Sequence, residues 1–229
     1  MKNIIDEKPV TELTGRLLAT AQFVKDEDLT GKDVLDVGCG YGTFVLNFAS
    51  RGARNVSGIE ITEEDISTAK KYIHQSNVDL FLGSAIGIPF PDDSFDSVTS
   101  WEVIEHIPKN TESKMFFEIA RVLRRGGSFY LSTPHRSFLS CVADPAWWLI
   151  GHRHYSKIFL ISLAEHHGFA VETFEVRGKG FVLLNALNMY FSKWILRRGR
   201  LFASYFDKRD TAEYHLAGYV TIFMKMRKK

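Results

Sequence analysis

From about residue 10 to residue 176, short apolar runs alternate with longer stretches of helical period, and this alternation constrains the fold more than any other feature of the chain. The runs are residues 33–37, 55–59, 79–82, 95–100, 128–133 and 170–176. Helices are expected over 11–25, 63–75, 111–125 and 156–167. The second opens on Thr62 and three acids, the third on Thr111 and Glu112 with Arg124-Arg125-Gly126-Gly127 as a basic, glycine-terminated end. Such spacing predicts a parallel sheet with helices on both faces. A last strand-like run, residues 219–225, follows the sixth across a long helical excursion. With 229 residues the chain is read as one domain, 1–229, carrying a helical insertion at 182–206.

The first run, Val34-Leu35-Asp36-Val37, breaks into Gly38-Cys39-Gly40-Tyr41-Gly42 before a helix. Glycines there permit positive φ and let a ligand approach the backbone beside helix N–H groups. Glu60 ends the next run, where a carboxylate can accept both hydroxyls of a ribose. A dinucleotide fingerprint from Gly38 would put its third glycine at position 43, which is Thr43. The pyrophosphate reading is therefore weak. A tight turn without a ligand needs one glycine, whereas this loop has three and an acidic partner.

These residues resemble the class I S-adenosylmethionine-dependent methyltransferases, whose first motif matches Asp36-x-Gly38-Cys39-Gly40-x-Gly42. Glu60 matches the acid of their second motif. Gly83-Ser84-Ala85 and Ile88-Pro89-Phe90-Pro91-Asp92-Asp93-Ser94-Phe95-Asp96 resemble the third and fourth motifs of the quinone- and small-molecule-methylating branch, methyltransferase type 11. Val103-Ile104-Glu105-His106-Ile107 and Leu123-Arg124-Arg125-Gly126-Gly127 continue the pattern in register. The resemblance implies a doubly wound, seven-stranded, mostly parallel sheet of the Rossmann-like methyltransferase kind. Its last strand would be antiparallel, with the helical insertion before it.

By the same resemblance the cofactor is S-adenosylmethionine. Gly38, Cys39, Gly40 and Gly42 would pass under its methionine and ribose, Asp36 would lie near its amino group, and Glu60 would hold the ribose hydroxyls. Ile61 would flank the adenine and Ala85 would offer backbone to its edge. Ser84 stands where the family often has Asp, and a hydroxyl is a weaker, uncharged partner. Ser100, Trp101 and Glu102 would sit near the methyl group and the methionine tail.

A sulfonium methyl is already activated, so its transfer depends mainly on alignment and water exclusion. A hydroxyl acceptor also needs a base with a pKa near neutrality, and histidine fits best. His135, just past the fifth run, is the first candidate; His106 and His154 are the others. His74, His166 and His167 read as solvated or capping. His152 and His154 form an H-x-H pair offering two ligands at most, so no metal is expected. Arg136 or Arg153 could meet an acidic acceptor. Neither Cys39 nor Cys141 is assigned thiol chemistry.

Composition narrows the partners. The chain has 29 Lys plus Arg against 27 Asp plus Glu, and a net charge of +2 leaves no basic footprint for nucleic acid. Two cysteines and an acidic start in place of an apolar leader suggest a reducing, cytoplasmic setting. Aromatic residues make up 13%, and many fall in two segments the cofactor does not need. One contains Trp147 and Trp148, read with Tyr190 and His152 as acceptor contacts. In the other, Leu183, Leu187, Tyr190, Phe191, Trp194 and Ile195 share one helical face, with Asn185, Asn188 and Ser192 on a polar side. The expectation is a helix packed by its apolar face over the sheet edge; the sharper alternative is a lid over an apolar acceptor, resting on a membrane surface.

The functional expectation is a methyltransferase acting at oxygen on a small or lipid-like acceptor, as monomer or homodimer. The alternatives are methylation of nucleic acid or protein, and a non-catalytic cofactor-binding module. Residues 100–103 lack the Asn/Asp-Pro-Pro-aromatic motif of amino-directed nucleic-acid enzymes.

Overall fold

The computed structural model describes residues 7–144, 147 and 151–229. In chain order the elements are α1 (Gly15–Phe23), β1 (Asp33–Val37), α2 (Thr43–Ser50), β2 (Asn55–Glu60), α3 (Glu63–Tyr72), β3 (Val78–Leu82), β4 (Phe95–Trp101), α4 (Glu112–Val122), β5 (Leu123–Pro134), α5 (Phe138–Ala143), α6 (Lys157–His166), β6 (Phe169–Arg177), α7 (Gly180–Tyr190), α8 (Ala203–Tyr214) and β7 (Thr221–Lys228). The sheet order is β3-β2-β1-β4-β5-β7-β6. Strands β1 to β5 pair in parallel, and β7 runs antiparallel to both β5 and β6. The order reverses at β1, so the crevice beyond the carboxyl ends of β1 and β4 is where ligands bind in open sheets of this kind.

Central strands are buried on both faces, which is why they read as near-continuous apolar runs. On one face Val34, Val45, Phe48 and Val56 pack with Phe23 of α1 and Tyr214 of α8. On the other, Leu35, Val98 and Phe129 pack with Met115, Phe116 and Ile119 of α4 and Leu160 of α6. Among the described residues no helix is long and apolar enough to cross a membrane.

One boundary differs from expectation. Helix α4 stops at Val122, and residues 123–127 are already the start of β5, which takes a register shift opposite Phe95 and Ser97. Arg124, expected in a basic last helical turn, instead pairs with Asp33 at 3.1 Å and Asp96 at 2.9 Å. Two opposed carboxylates at the start of β1 and β4 outweigh the weaker attraction of a helix terminus.

The excursion before β7 is longer than residues 182–206, running from Gly180 to Tyr214 as two helices joined by a π-helical turn at Phe191–Ile195. Its packing inverts the expected one. Asn185 and Ser192 are buried, whereas Phe191, Trp194 and Ile195 are 50%, 48% and 68% exposed. Hydrogen bonding accounts for the inversion. Asn185 donates to the buried Asp210 of α8, Asn188 donates to the Leu201 carbonyl at 2.7 Å, and Ser192 donates to Asn188 at 3.2 Å. The Glu213 carboxylate caps α7 by accepting N–H groups of Lys179, Phe181 and Val182 at 3.0–3.1 Å. Only the first turns of α7 reach the core, through Val182 and Leu183.

Candidate active site

At the carboxyl end of β1 three glycines take positive φ: Gly38 at 76°, Gly40 at 51° and Gly42 at 89°. They differ in purpose. A Cβ on Gly38 would stand 2.4 Å from Val103 Cγ2, and one on Gly42 would stand 2.2 Å from Ile73 Cδ1. At Gly40 nothing among the described residues lies within 4 Å of that position. Gly38 and Gly42 therefore let side chains pack against the loop, and Gly40 keeps an open backbone face toward the crevice.

Glu60 closes the cradle from β2. Its Oε2 accepts the Gly40 N–H at 3.1 Å, and its Oε1 accepts Ile61 N–H at 2.7 Å and Thr62 N–H at 3.2 Å. The carboxylate is thus held at the open face of Gly40 with acceptor capacity left for hydroxyl donors. Beneath it Asp36 is 1% exposed and accepts the Thr99 hydroxyl at 2.6 Å. Burial, reinforced by the Glu60 charge, pushes its carboxyl up to about 7. A cation nearby would reverse that shift. Cys39 is buried, and desolvation pushes its thiol up, so it is a small packing residue here.

The ends of β4 and β5 supply the remaining wall. Trp101 is buried with its ring 5.7 Å from that of Phe44, and neither its Nε1 nor Ser100 Oγ has a hydrogen-bond partner among the described residues. Unpaired buried polar atoms beside an open glycine face mark a place where a polar ligand completes the bonding. Ala85 is buried, Ile61 is 70% exposed as an apolar plate beyond Glu60, and Ser84 accepts the Ile86 N–H at 3.4 Å. A sugar's hydroxyls, an ammonium and a planar base each find a counterpart in this set. The residues fit S-adenosylmethionine.

Across the crevice lies a histidine-rich rim. Glu102, at φ 56°, is engaged by Arg16 of α1 and by the Ser132 hydroxyl at 2.8 Å. His135 directs Nδ1 at the Tyr219 carbonyl, 3.2 Å away. Because a carbonyl only accepts, Nδ1 carries the proton and Nε2 is the basic nitrogen of that ring. His154 is 7% exposed and already engaged at both nitrogens: Nε2 meets Asp144 at 2.9 Å, and Nδ1 meets the His135 carbonyl at 3.1 Å and Ser140 at 3.3 Å. That geometry makes it a positioning residue. His106 is exposed, with its ring 4.7 Å from that of His152.

The structure separates the two arginines. Arg136 is exposed, but Arg153 donates at 2.6 Å to the carbonyls of both Ile104 and Ile107. Arg153 thus fastens the loop after β4. Trp147 meets the His154 ring edge-on at 5.2 Å, and Trp148 lies outside the described residues. Tyr190, at the end of α7, is half-buried; burial, with the Asp144 charge, pushes its phenol up.

Sequence spacing missed Glu105 and Asp144. Glu105 is 4% exposed and accepts the Thr133 hydroxyl at 3.0 Å, while burial and the Glu102 charge raise its carboxyl well above the usual range. Asp144 Oδ2 accepts from His152 Nδ1 at 2.7 Å as well as from His154. The ligand count of two drawn from the H-x-H pair is therefore too low, because the fold brings carboxylates from two other segments to it.

Comparison with known proteins agrees with this geometry. Residues 34–127 match the sequence profile of a family described as a methyltransferase domain. A ubiquinone biosynthesis O-methyltransferase of Azoarcus sp. is 40% identical over 113 residues, 48% of this chain and 47% of that protein. Ajmaline N-methyltransferase of Rauvolfia serpentina is 32% identical over 132 residues, 56% and 45% of the two chains. The chain spans about half the length of the curated relatives it matches. The crystal structure of a Mesorhizobium loti S-adenosylmethionine-dependent methyltransferase shares the fold, with a TM-score of 0.68 at 18% identity, covering 93% of this chain and 97% of that one. With the glycine cradle, the β2 carboxylate and the strand order in agreement, residues 34–127 form a methyltransferase domain of the S-adenosylmethionine-dependent kind, and S-adenosylmethionine is its cofactor.

Proposed function

We propose that this chain moves a methyl group from S-adenosylmethionine to an oxygen of a small, largely apolar acceptor bound between the β4–β5 rim and α7. The observation that carries the reading is His135, whose anchored Nδ1 leaves a basic Nε2 on the rim beyond β5. The bound cofactor supplies a methyl already activated on a sulfonium. Glu60 and the open face of Gly40 fix the ribose, the buried Asp36 balances the cationic methionine end, and Ser100 and Trp101 complete their bonding against it. His135 Nε2 would take the acceptor hydroxyl's proton as that oxygen receives the methyl, the electron pair of the broken bond staying with the donor sulfur.

The outward apolar face of α7 and its π-helical turn supports the choice of acceptor. Phe191, Trp194 and Ile195 offer rings and aliphatic surface beside Tyr190. An apolar acceptor, or the lipid surface that carries it, gives that face something to cover, with residues 182–206 acting as its lid. The relative named for ubiquinone biosynthesis acts at oxygen, which supports the atom chosen here.

Labelled cofactor offered with phenols, quinols, lipid alcohols and amines tests the proposal. Transfer to a hydroxyl acceptor that drops by at least tenfold in His135→Ala, with cofactor affinity unchanged, is the expected outcome. Transfer to amines that is indifferent to His135 would instead favour methylation at nitrogen, the chemistry for which the Rauvolfia relative is named.

A further inference from the structure

The joint between α7 and α8 holds more acceptors than donors. Asn185 and Asp210 are 6% and 8% exposed, and Asn185 Nδ2 donates to Asp210 Oδ2. Two oxygens are left over. Asn185 Oδ1 and Asp210 Oδ1 are both buried with no hydrogen-bond partner among the described residues. Buried acceptors are costly unless a donor reaches them. One proton on Asp210 Oδ1 supplies that donor, because a primary amide and a carboxylic acid present matching edges, and each then donates to the other.

The charged groups around the pair are committed to other partners. Arg200, ahead of α8, is held by Asp207 at 2.7 Å. Arg16 of α1 turns to Glu102, and α1 meets the joint at Gly15, where a Cβ would stand 3.1 Å from Asp210 Cβ. Glu213 spends its carboxylate on N–H groups at the start of α7. Tyr214 shares a hydrogen bond with Thr221 at 3.1 Å, and burial pushes its phenol up. The titratable residue of α7 itself is Tyr190, whose phenol burial also pushes up. Burial, opposed by the Asn185 bond and the Arg200 charge and helped by Asp207 and Glu213, pushes the Asp210 carboxyl up to about 6.

We propose that Asn185 and Asp210 form a proton-operated clasp. With Asp210 protonated, acid and amide bond each other twice and fasten α7 to α8; loss of the proton sets two oxygens against each other and frees α7 with its π-helical turn. Little apolar burial opposes that release. Only Val182 and Leu183 of α7 reach the core, and Phe191, Trp194 and Ile195 are already in water. The released carboxyl returns toward its ordinary value of 3.8, so opening gives up a proton. The open population therefore rises about tenfold per pH unit between about 4 and 6 and is level above that. Resting on the reading of this segment as the acceptor's lid, the clasp regulates entry to the rim: acid holds the lid down, and neutral pH releases it.

Hydrogen–deuterium exchange of the full chain, read peptide by peptide from about pH 4.5 to 7.5 and corrected for the intrinsic pH dependence of exchange, tests the clasp. Protection over residues 184–198 should fall about tenfold per pH unit up to about pH 6 and then level off. Peptides of β1, buried in the sheet, report the whole fold in the same samples. Asp210→Asn places an amide N–H where the acid's proton would be, so it should keep the acid-state protection at every pH. Carboxyl-carbon NMR of aspartate-labelled wild type needs no variant, and should show a titration near pH 6 that coincides with the midpoint of the exchange change. Protection of residues 184–198 that is flat with pH in the wild type overturns the clasp, as does a slope that persists in Asp210→Asn. These readouts use neither cofactor nor acceptor, so failure of the clasp is distinguishable from failure of the methyl-transfer reading, which has its own assay.

Discussion

The β1–β2 edge and the α7–α8 excursion are built on opposite relations between pattern and burial. At the edge, apolar strand residues go inside, glycine marks the backbone approach, and the carboxylate waits at the strand end. In the excursion Asn185, Ser192 and Asp210 go inside, and Phe191, Trp194 and Ile195 stay out. Helical periodicity defines two faces; it does not say which one meets the protein. Hydrogen bonding decided that question here, since Asn185 can donate to Asp210 only when both are inward. An outward apolar face gains nothing from folding, which is why it points to a partner or an acceptor.

The largest effect expected at the edge follows removal of its carboxylate. Glu60→Ala removes the acceptor held at the open face of Gly40, together with charge-assisted bonds worth roughly 1.5–3 kcal/mol each. Cofactor affinity measured by calorimetry should fall about a hundredfold, with the fold intact by circular dichroism. Unchanged affinity would remove Glu60 from the cofactor site.

Both regions bury an acid, and their pH responses should differ. Asp36 is pushed up to about 7 and Asp210 to about 6, each chiefly by burial and each above an ordinary value of 3.8. The sign is the same for the free protein. The folded state holds a proton that the unfolded state releases, so stability falls as pH rises from near 4 to the folded pKa and is level above it. Only Asp36 faces a cationic ligand. Cofactor affinity should therefore rise about tenfold per pH unit below 7 and flatten above it. Asp36→Asn should abolish that slope, and Asp210→Asn should leave it untouched while removing its own share of the stability slope between about pH 4 and 6, the Asp36 share remaining up to about pH 7. A cofactor slope that survives Asp36→Asn would place the titrating group elsewhere.

Within the excursion, Asn185→Ala leaves the Asp210 carboxyl buried without its donor. Thermal or denaturant unfolding should show a loss of about 1–2 kcal/mol, with cofactor affinity unchanged. If an apolar side chain at 185 stabilised the protein instead, packing and not hydrogen bonding would be what sets the helix orientation.

How much the sequence disclosed follows the same division. The strand–glycine–helix junction at Gly38 to Gly42 and the acid at Glu60 are local in sequence, and local chemistry sufficed to place them. The seven-stranded, mostly parallel sheet with its antiparallel last strand followed from alternation and the resemblance together, whereas the strand order came only with the structure. The Glu105–His152–Asp144 group was illegible because its members come from three segments that meet only when β4 and β5 pair and the chain returns toward α6. Arg153 was misjudged for a related reason: its partners are the backbone carbonyls of Ile104 and Ile107, which carry no sequence signal.

The smallest effect on stability separates a working apolar face from an idle one. Trp194→Ser and Ile195→Ser act at positions 48% and 68% exposed, so unfolding free energy should move by no more than about 0.5 kcal/mol. Cofactor affinity should not move either, because neither side chain touches the cradle. If the face receives the acceptor's apolar part, KM for a lipid-like acceptor rises several-fold with kcat retained, and KM for a short, polar hydroxyl acceptor stays level. That split is the signature of binding lost equally from ground state and transition state. Equal KM for long and short acceptors in the double variant would detach the face from turnover. The inside-out helix would then have to be explained by a protein or membrane surface acting independently of the methyl transfer.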